Sequence, residues 1–557
     1  MIHSSTKRAA GQGSRAQGSD GLLGAGALVF LILAVLLAFV PGQWTVPPID
    51  RDEPRYTQAT KQMLETGNFV EIRFHEAPRH KKPVGIHWLQ AGAATATGHG
   101  EAAPLWVYRL PSLAGAIAAV LLAAWVARAF LPLPLALTVG ALFGATIILG
   151  VEARLAKTDA VLVASTLVAQ GALARIWLAG EKGWAMPLLM WVAIGVGVLV
   201  KGPIAPMVVG LTVAVLAVAD GRAIIGRIRP LTGLLVAAAV ALPWYAAIWI
   251  ATDGDFFRAA VGTDLLGKTT EGQEGHGAPP LTHLAFFLVV GWPLAAFTLA
   301  ALWGIWRRRG PVFLFALAWV VPTWIVFEAV TTKLPHYTLP ALAGVALAVV
   351  AALAVAEPPR WARVVAGLMI PLFPVAMVIA IPVGFGLFGT LTPWAAVVLC
   401  AVAGLLGCIA AAEIFRGAPM LSGGIVGGAV GAAVLAQAAV WGLALPALEP
   451  VWVSSRLVAA VEEAAPCPDP RLLSVGGYNE PSMIFLAGTE TGLLAAPEAV
   501  AILGGDCAVL AASGGAAEEV EAAASEAGLA VERAGVVEGF NISKGDPVRL
   551  TLFRRAD

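Results

Sequence analysis

Charge is what this sequence lacks. Of its 557 residues only 13% are Asp, Glu, Lys or Arg, against about 25% in soluble domains, while 58% are apolar. The deficit excludes an ordinary soluble domain and points to a polytopic membrane protein. The two signs balance to a formal net charge of zero. Bulk charge therefore names no partner, and no nucleic acid is expected. Cysteine is scarce too, four in all. Cys400 and Cys408 lie in an apolar run, where they pack. Cys467 and Cys507 lie in a polar tail, where a disulfide is allowed if the tail is outside the cytoplasm; their spacing alone does not show one. No internal repeat is visible.

What is there is a succession of apolar runs. Residues 1–20 are polar and basic and read as a disordered cytoplasmic tail. The run "GLLGAGALVFLILAVLLAFV" (21–40) is long enough to cross a bilayer and longer than the about 7–15 residues of a signal-peptide core, so a retained anchor is expected. Further runs lie near 105–128, 132–150, 160–180, 184–200, 203–219, 231–250, 284–306, 311–330, 338–356, 364–386, 393–412 and 420–446. That gives about thirteen spans, provided "VKGPIAP" separates the pair around 201. With the N-terminus inside, "GRAIIGRIR" (221–229) and "RRR" (307–309) fall in inner loops, as the positive-inside rule requires. An odd number of spans then places the tail outside. Residues 21–446 form the transmembrane domain, with outer loops at 41–104 and 251–283. In 447–557, "RLLSVGG", "CAVLAAS" and "VRLTLF" read as strands, and "EPSMIFLAG" and "AAEEVEAAASEAG" as helices. This is a small α/β domain, large enough for its own core.

On this topology the unusual polar segments gather outside: "RDEPRY" (51–56), "RHKKPVGIHW" (79–88), "EARLAKTD" (152–159), "KGP" (201–203), "GKTTEGQEGHGAPP" (267–280) and "TTKLPHY" (331–337). They suggest an outward-opening cavity lined by acids, bases and histidines. Transfer from a phosphate-linked lipid uses both signs: an acid activates an acceptor hydroxyl, and cations hold the leaving phosphate. Pro54 suits the first turn of a helix on which Asp52, Arg55, Tyr56, Ala59 and Met63 share one face. Such a helix would lie amphipathically on the bilayer surface. The alternative is that Asp50 or Asp52 only caps it, Glu53 completing a capping box with Asp50.

The ordered motifs "RDEPRYTQATKQMLETGNFV", "RHKKPVGIHWLQ", "RLAKTDAVL", "KGP" and "KLPHYTLP" resemble those of the bacterial aminoarabinose transferase and protein O-mannosyltransferase-like membrane glycosyltransferases, the GT-C class. The resemblance covers roughly residues 20–345. It implies an all-α membrane core of about thirteen transmembrane helices with amphipathic surface helices in the first outer loop, joined here to the C-terminal α/β domain in the periplasm. It implies a multi-pass enzyme of the bacterial inner membrane that moves a hexose or pentose from a polyprenyl-phosphate-linked donor to a lipid, glycan or protein hydroxyl, usually with inversion. Among membrane lipids, its donor and acceptor would meet at the outer face. By the same resemblance Asp52 is the base or acceptor-orienting acid and Asp159 the second acid. Arg55, Tyr56, Lys82, Lys333, His336 and Tyr337 match residues near the donor phosphate. Position 81 is Lys where aminoarabinose enzymes carry an acid, which argues against an amino-sugar donor.

A second group of residues has two readings each. Lys81 with Lys82 could bind lipid headgroups, and Lys201 could snorkel or cap its helix. Glu271 and His276, with Glu274 and His283, could hold a divalent metal, though zinc sites space their ligands more tightly; otherwise their glycine-rich loop closes over the acceptor. No other cofactor is expected. His87 and Trp88 read as interfacial packing, and Asn541 as a turn or strand-edge residue. The rival function is a transporter or flippase of a lipid-linked glycan, but transporters place charge near the midplane and often repeat their halves.

Overall fold

The computed structural model describes residues 26–179, 183–266, 277–305, 307–465, 467–505 and 507–556. The expected tail at 1–20, and Glu271 and His276 with most of their loop, lie outside these residues.

Among the described residues up to 447, the long apolar runs become helix, because in lipid each backbone amide must be satisfied within its own segment. In chain order the main helices are α1 (Gly26–Phe39), α2 (Asp52–Thr66), α3 (Gly85–Ala96), α4 (Leu105–Ala127), α5 (Leu133–Gly144), α6 (Ile147–Glu152), α7 (Asp159–Ala179), α8 (Ala185–Lys201), α9 (Ile204–Ala219), α10 (Pro230–Ala251), α11 (Thr282–Val290), α12 (Leu294–Ile305), α13 (Pro311–Ala329), α14 (Leu339–Val355), α15 (Arg360–Leu387), α16 (Trp394–Phe415) and α17 (Gly423–Ala439). Among the described residues, eight helices are long and apolar enough to cross a membrane. Five shorter apolar ones, α1, α5, α8, α9 and α12, fill the remaining windows. The chain is a multi-pass membrane protein. The central helix is α14, whose apolar window is 89% buried against 22% for the peripheral α10.

Two windows that read as single spans are broken. Residues 132–150 divide into α5 and α6, and 284–306 into α11 and α12 around Trp292 and Pro293. Pro293 has no amide to continue the ladder. The two breaks meet, with the Ile147 amide donating to the Trp292 carbonyl at 3.2 Å. "VKGPIAP" does separate α8 from α9: Gly202 reverses the chain at φ +61°, a conformation costly for any other residue.

The segment between α1 and α4 holds α2, a short hairpin of β1 (Arg73–Phe74) and β2 (Ala77–Pro78), and α3. The C-terminal region begins with α18 (Val453–Ala464) and continues β3 (Arg471–Val475), α19 (Pro481–Ala487), β4 (Gly492–Leu493), α20 (Ala496–Gly505), β5 (Ala508–Ser513), α21 (Ala516–Glu526), β6 (Val531–Asn541) and β7 (Asp546–Arg555). Its sheet runs β4-β3-β5-β7-β6, with β3 parallel to β4 and β5 and the rest antiparallel. Both faces of its central strands are covered, so β3 and β5 read as continuous apolar runs. Leu473, Leu510 and Ala512 pack under α20 and α21, while Leu472, Val509 and Ala511 pack under α18 and α19. Ala516, Val520 and Ala524 form the buried stripe of α21, whose remaining residues face solvent. Cys467 and Cys507 form a disulfide.

Candidate active site

The site is built on α2, which starts at Asp52 with Pro54 in its first turn. Neither acid caps it. The N-cap is Arg51, with no side-chain hydrogen bond to the free amides. The Asp50 carboxylate accepts from the Ser482 amide at 2.9 Å and from the Ser482 hydroxyl. Glu53 turns inward: Oε1 accepts from Arg109 Nε at 2.8 Å and from the Ala156 amide at 2.9 Å, and Oε2 from Arg109 Nη2 at 2.9 Å and the Ile49 amide at 3.0 Å. Arg109 also donates to the carbonyls of Gln43, Val46 and Pro47 at 2.9, 2.8 and 3.2 Å. The capping-box reading of Asp50 with Glu53 thus gives way to a stronger demand. A buried guanidinium needs a carboxylate, and Arg109 claims Glu53 for that purpose.

The rest of α2 is held from the side of α3. The Thr60 hydroxyl lies 2.9 Å from His87 Nδ1 and donates to Gln90 Oε1 at 2.7 Å. Burial drives the His87 pKa down to about 3, so the ring is neutral and serves as a packing and hydrogen-bonding partner of α2. Trp88 stays half-exposed, its indole donating to the Phe69 carbonyl at 2.9 Å. Gly85 lets α3 start directly against the end of α8, since a Cβ there would stand 2.7 Å from the Leu199 carbonyl oxygen. That contact sets the segment between α1 and α4 beside Lys201.

A cavity of about 400 Å³ opens between these elements. One wall carries Asp52, Arg55 and Tyr56 from α2, and another carries Arg79, Lys81 and Lys82 from the segment after the hairpin. The floor is Lys157, Asp159, Lys201 and His336, and an apolar side is formed by Tyr245, Phe256, Phe257, Val261, Phe327 and Val330. Nine of the residues expected from the sequence therefore converge: Asp52, Arg55, Tyr56, Lys81, Lys82, Asp159, Lys201, His336 and Tyr337. Lys333 does not. It is buried beside the cavity, and its ammonium donates to the Val330 carbonyl at 2.6 Å.

The two acids differ in environment. Asp159 is buried, its Oδ1 2.6 Å from Lys201 Nζ and 3.8 Å from His336 Nε2, and its Oδ2 3.8 Å from Lys157 Nζ. Lys157 is shared with Glu152 at 3.0 Å. Burial opposes the Lys157 charge, but Glu152 and Asp159 outweigh it and hold its pKa above the ordinary lysine value. Asp159 is thus a neutralised member of a cluster. Asp52 is open to the cavity. Burial pushes its pKa up, yet the nearby charges of Lys157 and Arg79 prevail and hold it below the ordinary aspartate value. Its carboxylate is ionised and can reach a ligand.

The sequence reading missed Arg79, which lies 5.2 Å over the Tyr56 ring and whose charge acts on Asp52. Its signal was present, as the first basic residue of "RHKKP". The apolar side gave no signal, because Phe256 and Val261 look like any other apolar residues in this chain. Among the described residues no group of three or more His, Cys, Asp or Glu is placed to hold a metal ion. His283 is described: its ring is buried, 3.6 Å from Glu328 and stacked on Tyr337 with centroids 6.1 Å apart.

Similar proteins bear on this arrangement. The family model for dolichyl-phosphate-mannose-protein mannosyltransferase matches residues 81–249. Curated relatives named undecaprenyl phosphate-alpha-4-amino-4-deoxy-L-arabinose arabinosyl transferase include one from Pectobacterium atrosepticum, 26% identical over 333 residues, 57% of this chain and 57% of the relative. Another, from Pseudomonas aeruginosa, is 28% identical over 312 residues, 53% and 54% of the two chains. The chain thus spans little more than half the length of the curated relatives it matches. The crystal structure of ArnT from Cupriavidus metallidurans bound to undecaprenyl phosphate superposes with a TM-score of 0.74 at 16% identity, covering 94% of this chain and 98% of that one. The apo structure gives 0.72 over 95% and 98%. The fold is GT-C. The resemblance to the aminoarabinose transferase and protein O-mannosyltransferase-like superfamily, read from five motifs, holds for the family model, the relatives and the fold. In this chain the motifs converge on one cavity.

Proposed function

We propose that the chain transfers a sugar from a polyprenyl-phosphate donor to a hydroxyl acceptor on the periplasmic face of the bacterial inner membrane, with inversion and with Asp52 as the base. The observation that carries this reading is the cavity itself: one ligand-accessible carboxylate shares it with Arg55, Arg79 and Lys82, and with apolar residues suited to a polyprenyl chain. The curated relatives are named as undecaprenyl-phosphate-dependent transferases, which supports the donor class. Lys81 on the cavity wall disfavours a cationic amino sugar. The Cys467–Cys507 disulfide supports a tail outside the cytosol, and the positive-inside pattern agrees with it.

In the proposed reaction the acceptor oxygen attacks the anomeric carbon as the bond from that carbon to the phosphate oxygen breaks. The hydroxyl proton passes to Asp52. The electron pair of the broken bond leaves on the polyprenyl phosphate, whose added negative charge the arginines and lysines stabilise. Asp159 keeps Lys157 and Lys201 in place beneath the phosphate.

Reconstitution with undecaprenyl-phosphate hexose and pentose donors tests this reading. Release of undecaprenyl phosphate that depends on an added acceptor is the expected result, and no release with any donor would sink it. In the same assay Lys82→Ala is expected to raise the donor KM about tenfold, equivalent to ~1.4 kcal/mol of lost binding. Lys333→Ala should move it far less, because that ammonium is spent on Val330. A larger effect at Lys333 would place the phosphate elsewhere.

A further inference from the structure

Outside the cavity, polar contacts concentrate on the seam where the C-terminal region meets the loop that carries the site. Among the described residues, those that tie α2 and the hairpin come from one stretch, Ser482 to Thr491. Ser482 holds Asp50, two residues before Asp52, through its amide and its hydroxyl. Thr489 accepts from Gln58 Nε2 at 2.7 Å and donates to Glu65 Oε2 at 2.8 Å, gripping α2 along its length. The Thr491 carbonyl lies 2.7 Å from His75 Nε2 at the turn of the hairpin, four residues before Arg79. The two gripped elements are also tied to each other, Gln62 exchanging hydrogen bonds of 2.9 and 2.8 Å with the His75 carbonyl and amide.

We infer that the C-terminal region is a positioning clamp, in which residues 482–491 hold α2 and the hairpin in the register that brings Asp52, Arg79 and Lys82 to one cavity. The clamp rests on the sugar-transfer reading for its effect on rate, but not for its effect on structure. Asp52 and Arg79 sit on separate elements of one loop, and no transmembrane helix carries either of them. A single hydrogen bond at such a seam adds little net stability. Misplacing a catalytic group by about 1 Å can cost roughly 10²-fold in rate. Ser482, Thr489 and His75 are therefore positioning residues, each acting through the element it holds.

The test uses the full-length protein at pH 8, where Asp50 is ionised, burial having raised its pKa to about 6. Ser482→Ala and Thr489→Val are expected to lower kcat about tenfold at unchanged donor KM, since they loosen the wall that carries the base. His75→Phe should raise the donor KM about tenfold with a smaller effect on kcat, since it loosens the phosphate wall. Ser482→Thr, which keeps the hydroxyl, should restore kcat to near wild type. Hydrogen exchange of amides 51–62 should quicken in Ser482→Ala, and of amides 73–82 in His75→Phe. Wild-type kcat and KM per folded molecule in all three variants, with only a lower melting temperature, would overturn the clamp. If the wild type transfers no sugar, the functional reading fails separately, and unchanged exchange in both segments would then overturn the clamp by itself.

Discussion

Asp52→Asn is expected to lower kcat about 10³-fold while the protein still inserts and binds donor, the range that loss of a general base produces. No other acid is available for the role among the described residues that line the cavity. Asp159 is buried and spent on Lys201, Lys157 and His336. The pH profile should carry the same signature. In the free enzyme Lys157 and Arg79 outweigh burial and hold Asp52 below its ordinary value of 3.8. A base must be ionised, so kcat/KM should stay level down to about pH 4 and fall only below it. Bound donor brings a phosphate whose negative charge competes for the same cations, and that raises the Asp52 pKa in the complex. The acid limb of kcat should therefore lie at higher pH than that of kcat/KM. Coincident limbs, or a kcat/KM limb near neutrality, would assign the base elsewhere.

The second large effect is on stability. Arg109→Leu leaves the Glu53 carboxylate buried beside two backbone amides with no counter-charge, a loss of roughly 3–5 kcal/mol. The same change frees the carbonyls at 43, 46 and 47, so the segment from α1 to α2 loses its anchor. Thermal unfolding in detergent should show a strongly lowered midpoint for Arg109→Leu. The double variant Glu53→Met with Arg109→Leu should recover much of the loss, because a buried pair replaced by apolar groups of similar volume is often neutral. A double variant as unstable as the single one would mean that the backbone hydrogen bonds, not the charge, carry the cost.

The apolar helices and the gathering of the motifs were legible because lipid imposes a strong compositional rule: apolar windows of a set length, with most ionisable residues between them. Asp52, Arg55, Lys82 and His336 could be named because the family resemblance matched them one by one, inside polar segments that are conspicuous in so apolar a chain. The same rarity misled at Glu53. Helix-start rules gave it a local partner in Asp50, and only the fold brings Arg109, 56 residues on, close enough to claim it. The clamp was illegible for a related reason. Ser482, Thr489 and Thr491 are ordinary polar residues of a small α/β region, and nothing local marks them as neighbours of residues more than 400 positions earlier. β6 was missed because Gly535 and Gly539 interrupt its alternation, a pattern that reads as loop.

The most direct test is mass spectrometry of lipids and envelope glycans from cells lacking the protein, complemented with wild type or with Asp52→Asn. One component should lose the mass of a single hexose or pentose without the protein, regain it with wild type, and fail to regain it with Asp52→Asn. Full restoration by Asp52→Asn, or no changed component at all, would contradict sugar transfer through this cavity.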